Sequence, residues 1–193
     1  RAPTTFSRIA EPQSVSRQGQ LYGVPMPSLK LYAEYSRKEA HGILSPKTKF
    51  VPQAGTWGLQ GVVRITGRSS DYAFFVTFGQ SQGSHKFDEG ITRSGVFTWQ
   101  SQPSQGLADK RVLQWINPNG SEDSIYLFLR TDGRRKYAYL GRLAYLSHDS
   151  KRERPVYFRW QIIDWALLEG QRKHLGLIYK SEPSDRLSLQ LSP

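Results

Sequence analysis

Four histidines, His41, His85, His148 and His174, lie far apart along the chain. None shares the His-Glu-x-x-His spacing that sets two metal ligands on one helix face, so each reads as a surface or loop histidine. Cys is absent, which removes thiolate zinc sites and any disulfide framework. No Gly-x-x-x-x-Gly-Lys-Ser/Thr run is present to cradle a nucleotide's phosphates. Phe78-Gly79-Gln80-Ser81-Gln82-Gly83-Ser84 has glycines without a strand-to-helix context and reads as a loop. A magnesium nuclease needs carboxylates clustered with a lysine. Asp88 and Glu89 are adjacent, so in a strand they point to opposite faces. His85-Lys86 lacks the His-x-Lys phosphodiesterase spacing. The expectation is a chain with no catalytic residues, no metal and no cofactor.

Residues suited to binding are more abundant. Basic side chains gather beside turn residues: Arg64 and Arg68, then Arg130, Arg134, Arg135 and Lys136, then Lys151, Arg152 and Arg154. Cations at loop ends can reach phosphates while strands hold the loops still. The 27 Lys+Arg against 16 Asp+Glu give a formal net charge of +11. Such a charge repels itself in a compact fold and suits a polyanionic partner: DNA, RNA or an anionic membrane surface. No apolar stretch approaches the roughly 20 residues of a membrane span. Phe97-Thr98-Trp99-Gln100-Ser101-Gln102-Pro103 runs from aromatic residues directly into amides and a turn. Gln can pair with a base edge and Trp can stack on an extruded base. Equally, Phe97 and Trp99 can be core, with the Gln and Ser residues closing a strand end.

Elements must carry these groups. Residues 1–28, rich in Pro, Ser, Gln and Arg, read as a linker or surface arm, and 29–193 as a single domain. The N-terminus, Arg1-Ala2-Pro3, lacks Met and an apolar signal core, as in a fragment of a longer polypeptide. Ser36 and Glu39 fit a capping box, predicting a helix from Arg37 to Leu44 stopped by Pro46. Strand-like runs follow at 61–65, 72–78, 95–99, 111–116 and 124–129, then two long ones at 136–146 and 155–165, with a last near 175–179. Turns separate them at Gly67-Arg68-Ser69-Ser70, Asn117-Pro118-Asn119-Gly120, Asp132-Gly133 and His148-Asp149-Ser150. In 136–146, Tyr137, Tyr139, Gly141, Leu143 and Tyr145 share one face by alternation. Many short strands at this spacing predict a mainly β domain with one or more short helices, a twisted barrel or a sandwich.

The chain also resembles a known family: the domain of unknown function at the C-terminus of bacterial restriction enzymes that join a phospholipase-D-type nuclease to a helicase. The marks are Tyr35-Ser36-Arg37-Lys38-Glu39, Gly61-Val62, Phe75-Val76-Thr77-Phe78 and Phe97-Thr98-Trp99-Gln100-Ser101-Gln102. They continue with Leu127-Phe128-Leu129-Arg130, Tyr139-Leu140-Gly141, Tyr145-Leu146-Ser147-His148 and Pro155-Val156-Tyr157-Phe158, so the resemblance runs from about Leu31 to Trp165. Two departures stand out: Phe87-Asp88-Glu89-Gly90 replaces a Tyr-x-Asp-Tyr type string, and Thr98 replaces a His.

The resemblance implies a PUA/SRA-like β-barrel that takes a flipped 5-methyl- or 5-hydroxymethylcytosine from double-stranded DNA into an aromatic pocket. It implies a recognition module of a bacterial, cytoplasmic, phage-defence enzyme, with catalysis in covalently linked nuclease and helicase domains and no contact with a membrane. In that scheme Trp99 or Tyr72 stacks on the base. Asp88, Glu89 or Gln100 accepts from its exocyclic amine, and Gln102 or Ser101 completes the edge. Arg64, Arg68, Lys86, Arg93, Arg130, Arg134, Arg135, Arg152 and Arg154 hold phosphates. Three alternatives remain: a B3-like pseudobarrel reading unmodified sequence in the major groove, a protein-interaction domain of a helicase-nuclease, and a catalytic domain.

Overall fold

A computed structural model describes residues 28–68, 70–79, 81–82, 85–86, 88–117, 124–163 and 165–181. The arm expected over 1–28 lies outside them, apart from Ser28. In chain order the elements are β1 (Glu34–Tyr35), α1 (Arg37–Leu44), α2 (Gly55–Leu59), β2 (Val62–Arg64), β3 (Tyr72–Thr77), β4 (Ser81–Gln82) and β5 (His85–Lys86). Then come β6 (Gly90–Thr92), β7 (Val96–Gln100), α3 (Lys110–Ile116), β8 (Ile125–Arg130), β9 (Tyr137–His148), β10 (Tyr157–Ile162), α4 (Glu169–Leu175) and β11 (Tyr179–Lys180).

The principal sheet has nine strands and runs β11-β6-β7-β10-β9-β8-β3-β2, with β1 added to β9; β4 and β5 form a separate pair. The mainly β architecture with short helices is as expected, but the sheet is twisted and open, not a closed barrel. It curls strongly. Phe74 on β3 and Trp99 on β7 are four strands apart, which in a flat sheet is about 19 Å. Their ring centroids are 4.9 Å apart. Period-two side chains on β3 and β8 feed two cores. Tyr72, Phe74, Val76, Ile125, Leu127 and Leu129 fill the inside of the curl with Trp99, Trp115, Phe158 and Trp160. Ala73, Phe75 and Phe128 face the other way, onto Ala40, Leu44 and Trp57 of α1 and α2. Burial on both faces explains why these strands read as nearly continuous apolar runs.

The α1 capping box is present: Ser36 Oγ accepts from Glu39 N, and the Ser36 N–H donates to Glu39 Oε2 at 2.7 Å. The Ser36 hydrogen bonds and the Lys136 ammonium hold the Glu39 carboxyl down at about 2.

Three expectations need correction. Residues 111–116 are helical, not a strand. Asp109 caps the helix by accepting from Arg111 N at 2.9 Å, and Val112 and Trp115, three apart, are buried while Leu113 is exposed. That is helical periodicity, which a short apolar run does not separate from a strand. The segment near 175–179 holds the end of α4, closed by Gly176 at φ 66°, and a strand of only Tyr179–Lys180. The single alternating face expected along 136–146 switches midway. Leu127 pairs with Gly141 and Phe128 with Tyr139, leaving Leu140 as an extra residue, a β-bulge. Gly141 sits there at φ 117°, and a Cβ would lie 3.0 Å from the Ile163 carbonyl oxygen. Ala138 and Leu140 therefore share the inner core with Leu143 beyond the bulge, while Tyr137 and Tyr139 face α1.

Candidate nucleic-acid interface

One row of paired residues crosses five strands: Arg64 opposite Tyr72, Tyr72 beside Ile125, Ile125 opposite Leu143, and Leu143 opposite Ile162. Two cavities open along it, and Tyr72 lines both.

The first cavity, about 580 Å³, lies between β2 with its following turn and the segment carrying α2. Lys49, Arg64, Arg68 and Arg111 line it together with Trp57, Gln60 and Tyr72, and no carboxylate does among the described residues. Its walls are fixed from behind. Arg37 donates to the carbonyls of Trp57 (3.2 Å) and Gln60 (2.8 Å), with its guanidinium 4.4 Å over the Phe75 ring. This pins α2 to the sheet. Gly58 permits the close approach: a Cβ would meet the Val51 carbonyl oxygen at 2.1 Å. Behind Trp57 lies His41, which is buried, not a surface residue. Its Nε2 is 2.8 Å from Thr48 Oγ1, and burial lowers its pKa. Arg68 is set by Asp71 at 3.0 Å and the Tyr126 hydroxyl at 2.9 Å. Asp71 also accepts from Ser124 N at 2.8 Å.

The second cavity, about 410 Å³, is walled by aromatic rings: Tyr72, Trp115, Tyr145 and Trp160, with Leu143 and Ile163. Gln114 and Arg142 also line it. The Tyr72 hydroxyl donates to Gln114 Oε1 at 2.6 Å, and the Tyr145 hydroxyl lies 2.6 Å from His148 Nδ1. The structure thus offers a concave cationic site and a concave aromatic site on either side of one tyrosine. That suits a ligand combining an anionic backbone with a flat ring.

Of the expected base readers, Tyr72 alone lines these cavities. Trp99 is 8% exposed and packs in the inner core against Phe74, Trp115 and Phe158. Gln100 and Ser101 are buried beside it; Ser101 Oγ accepts from Val156 N at 2.9 Å. Gln102 is exposed, and its N–H donates to Gln105 Oε1. Asp88 and Glu89 precede β6, where Asp88 pairs with Lys180. Burial pushes the Glu89 carboxyl up to about 7, against the pull of the Lys180 ammonium.

A carboxyl raised from 4.5 in the unfolded chain to about 7 in the fold leaves stability intact below its unfolded value. Stability then falls as pH rises towards the folded value. Glu89→Gln is expected to remove that fall, stabilising the chain at pH 8 by on the order of 2–3 kcal/mol and leaving it nearly unchanged at pH 4. Thermal denaturation across pH reads this; an equal effect at both pH values contradicts it.

Of the expected phosphate binders, Arg64 and Arg68 enter the first cavity. Arg130 bonds to Thr77 Oγ1 and the Arg135 carbonyl, 4.2 Å over the Tyr137 ring. Thr77 ends β3 five residues from Tyr72, about 17 Å at strand rise. Arg134, Arg135 and Lys136 gather at that opposite end, paired with Asp132, Glu34 and Glu39. Arg152 pairs with Asp149 and covers the Tyr157 ring. Arg154 is exposed, as is Arg93, whose guanidinium is 5.8 Å from the Tyr179 ring centroid. Lys86 lies in β5, and its side chain falls outside the described residues. Lys49 and Arg111 escape sequence reasoning. Lys47-Thr48-Lys49 after Pro46 is a basic pair at a turn, as Arg64 and Arg68 are, and that signal could have found Lys49; Arg111 follows Lys110 at the start of α3.

Fold and site together define a mainly β domain built on one curled sheet, with a cation-lined and an aromatic cavity at one end. Residues 29–163 match the domain of unknown function DUF3427, and the chain belongs to that family. No curated protein matches. Among solved structures, the chain is similar to the SUVH5 SRA domain in complex with hemimethylated CG DNA, at 14% identity and a TM-score of 0.47, covering 77% of this chain and 99% of that one. It is also similar to the same domain with methylated CHH DNA, at 13% identity and a TM-score of 0.44, covering 75% and 95%. Among the described residues no helix is long and apolar enough to cross a membrane.

Proposed function

We propose that this chain is a DNA-recognition module that reads a modified cytosine in double-stranded DNA by base flipping. One observation carries the reading: the cationic and aromatic cavities share Tyr72. An extruded base would enter the aromatic cavity, at an unstacking cost of a few kcal/mol. Tyr145 would lie against it, over the buried rings of Trp115 and Trp160, with Leu143 and Ile163 as apolar wall. Lys49, Arg64, Arg68 and Arg111 would neutralise backbone phosphates next to it. The excess of 27 Lys+Arg over 16 Asp+Glu supports a polyanionic partner. In this reading catalysis belongs to linked nuclease and helicase domains of a bacterial, cytoplasmic restriction enzyme.

Titration of duplexes differing only in one central cytosine, unmodified or modified at C5, tests the reading. A modified duplex is expected to bind about tenfold tighter or more, the discrimination a small group brings in a fitted pocket. Affinity should fall steeply between about 50 and 200 mM salt. Equal affinity for modified and unmodified duplexes would end the proposal.

A further inference from the structure

The sheet carries further cations on the side away from its inner core. Over β3 and β8 that outer side is covered by α1 and α2. Over β7, β10 and the second half of β9, two cross-strand rows face outward, Thr98–Arg159–Ser147 and Val96–Gln161–Ala144. They are only half-buried, whereas the intervening Phe97, Phe158 and Trp160 are sealed in the inner core. Arg159 sits in the middle of this face. Its Nε is sealed, so the guanidinium lies along the strands and leaves its Nη groups to meet an anion. Arg142 is exposed and faces the same way, since Leu143 between it and Ala144 turns inward. Among the described residues no ion pair or hydrogen bond engages either guanidinium. In contrast, Arg134, Arg135 and Lys136 are met by Asp132, Glu34 and Glu39. Arg142 also ties this face to both cavities. It lines the aromatic one together with Ala144. It is the cross-strand neighbour of Tyr126, whose hydroxyl accepts from Arg68 of the cationic one at 2.9 Å. The Arg142 carbonyl accepts from Ile163 N, four positions along β10 from Arg159. That separation is about 13 Å at strand rise, close to the rise of about four base pairs of duplex DNA.

Resting on the DNA-reading function proposed above, we infer that Arg142 and Arg159 make a second contact with the DNA phosphate backbone, on the far side of the aromatic cavity from Lys49, Arg64, Arg68 and Arg111. A nucleotide extruded from a duplex has backbone on both its flanks, and holding both fixes where the base enters. The planar guanidinium fork suits phosphate oxygens, and a partly desolvated cation without a carboxylate gains more from an anion than a fully solvated one does.

The test is fluorescence anisotropy over a salt series, comparing the full chain with a double variant, Arg142→Gln and Arg159→Gln, on matched duplexes carrying cytosine or 5-methylcytosine. The double variant is expected to bind both duplexes about 25-fold more weakly near 0.15 M salt and to flatten the salt slope by about 2, the counterion release of two phosphates. The ratio between the two duplexes should stay as it is in the unaltered chain, because phosphate contacts carry no sequence information. An unchanged slope in a double variant that melts like the unaltered chain overturns the inference and leaves modified-base reading standing; a face that receives an acidic protein segment instead of DNA gives that result. A ratio that collapses while the slope holds also overturns it, by placing the arginines at the base and not the backbone. Equal binding of the two duplexes by the unaltered chain ends the base-reading function, and the slope of the double variant still decides whether this face holds DNA. Should the double variant lose its folding transition, Arg142→Gln alone decides, at an exposed position. It is expected to flatten the slope by about 1, and no change overturns the inference.

Discussion

A chain carrying Lys49→Gln, Arg64→Gln and Arg111→Gln is expected to bind duplex DNA about 10²-fold more weakly than the unaltered chain near 0.15 M salt. The magnitude follows from counterion release. Each neutralised phosphate contributes about 0.9 to the slope of log affinity against log salt. At 0.15 M that amounts to about 0.7 log units per phosphate. Removing three cations together should flatten the slope by about 3 as well as lowering affinity. Arg68 is left in place because it holds Asp71 and Tyr126, and Asp71 in turn accepts from the Ser124 backbone. Its loss would mix folding with binding. The measurement is fluorescence anisotropy over a salt series, with the melting temperature as a control. An unchanged salt slope in a stably folded variant would remove the first cavity from the interface. As a comparison, Arg134→Gln alters a side chain 91% exposed and paired with Asp132, at the far end of β8. It should change the slope little.

The second large effect is on stability. Trp99→Ala is expected to destabilise the chain by about 3–5 kcal/mol, the usual cost of truncating a buried Trp. At this chain length that corresponds to a fall of roughly 10 °C in melting temperature. Trp99 lies within ring-contact distance of Phe74, Trp115 and Phe158, at 4.9, 5.7 and 5.9 Å between centroids. Removing it opens a void between β3, α3 and β10. Trp99→Phe should cost much less because most of the contact area remains. A Trp99→Ala chain that melts with the unaltered one would show that the ring is not structural. Differential scanning calorimetry decides.

These two expectations mark where sequence reading succeeded and where it stopped. The capping box at Ser36 and Glu39 specifies a helix start locally, and α1 begins at Arg37. β3, β8, β9 and β10 were legible because their alternating or continuous apolar patterns extend over at least six residues. Trp99 was ambiguous for a physical reason. In a strand, one ring every second residue is the pattern of a core and equally of a pocket wall. Only the curl of the sheet, which carries β7 over β3, places that ring inside. The cationic cavity was out of reach because its four basic residues come from a loop, a strand, a turn and a helix between Lys49 and Arg111. Arg64 and Arg68 stand out for their turn, and Tyr72 as a candidate stacking ring. What brings them together is strand pairing, which local pattern does not encode. The densest basic run, Arg134-Arg135-Lys136, draws attention by composition, yet its charges are met by Asp132, Glu34 and Glu39. Two of those acids lie about a hundred positions away along the chain.

The β1 strand pairs Glu34 with Ala138 and Tyr35 with Tyr137, more than half the chain apart. β3 and β8 are parallel neighbours, with β4 to β7 and α3 threaded between them in sequence. Neither of these two ladders can form from adjacent segments, so loop closure must precede their reward. During synthesis Phe74, Phe75 and Trp99 emerge before several of their ring partners, Phe128 of β8, Tyr137 of β9 and Phe158 and Trp160 of β10. Maturation is expected in milliseconds to seconds, not microseconds, and the nascent intermediate is the state most exposed to aggregation.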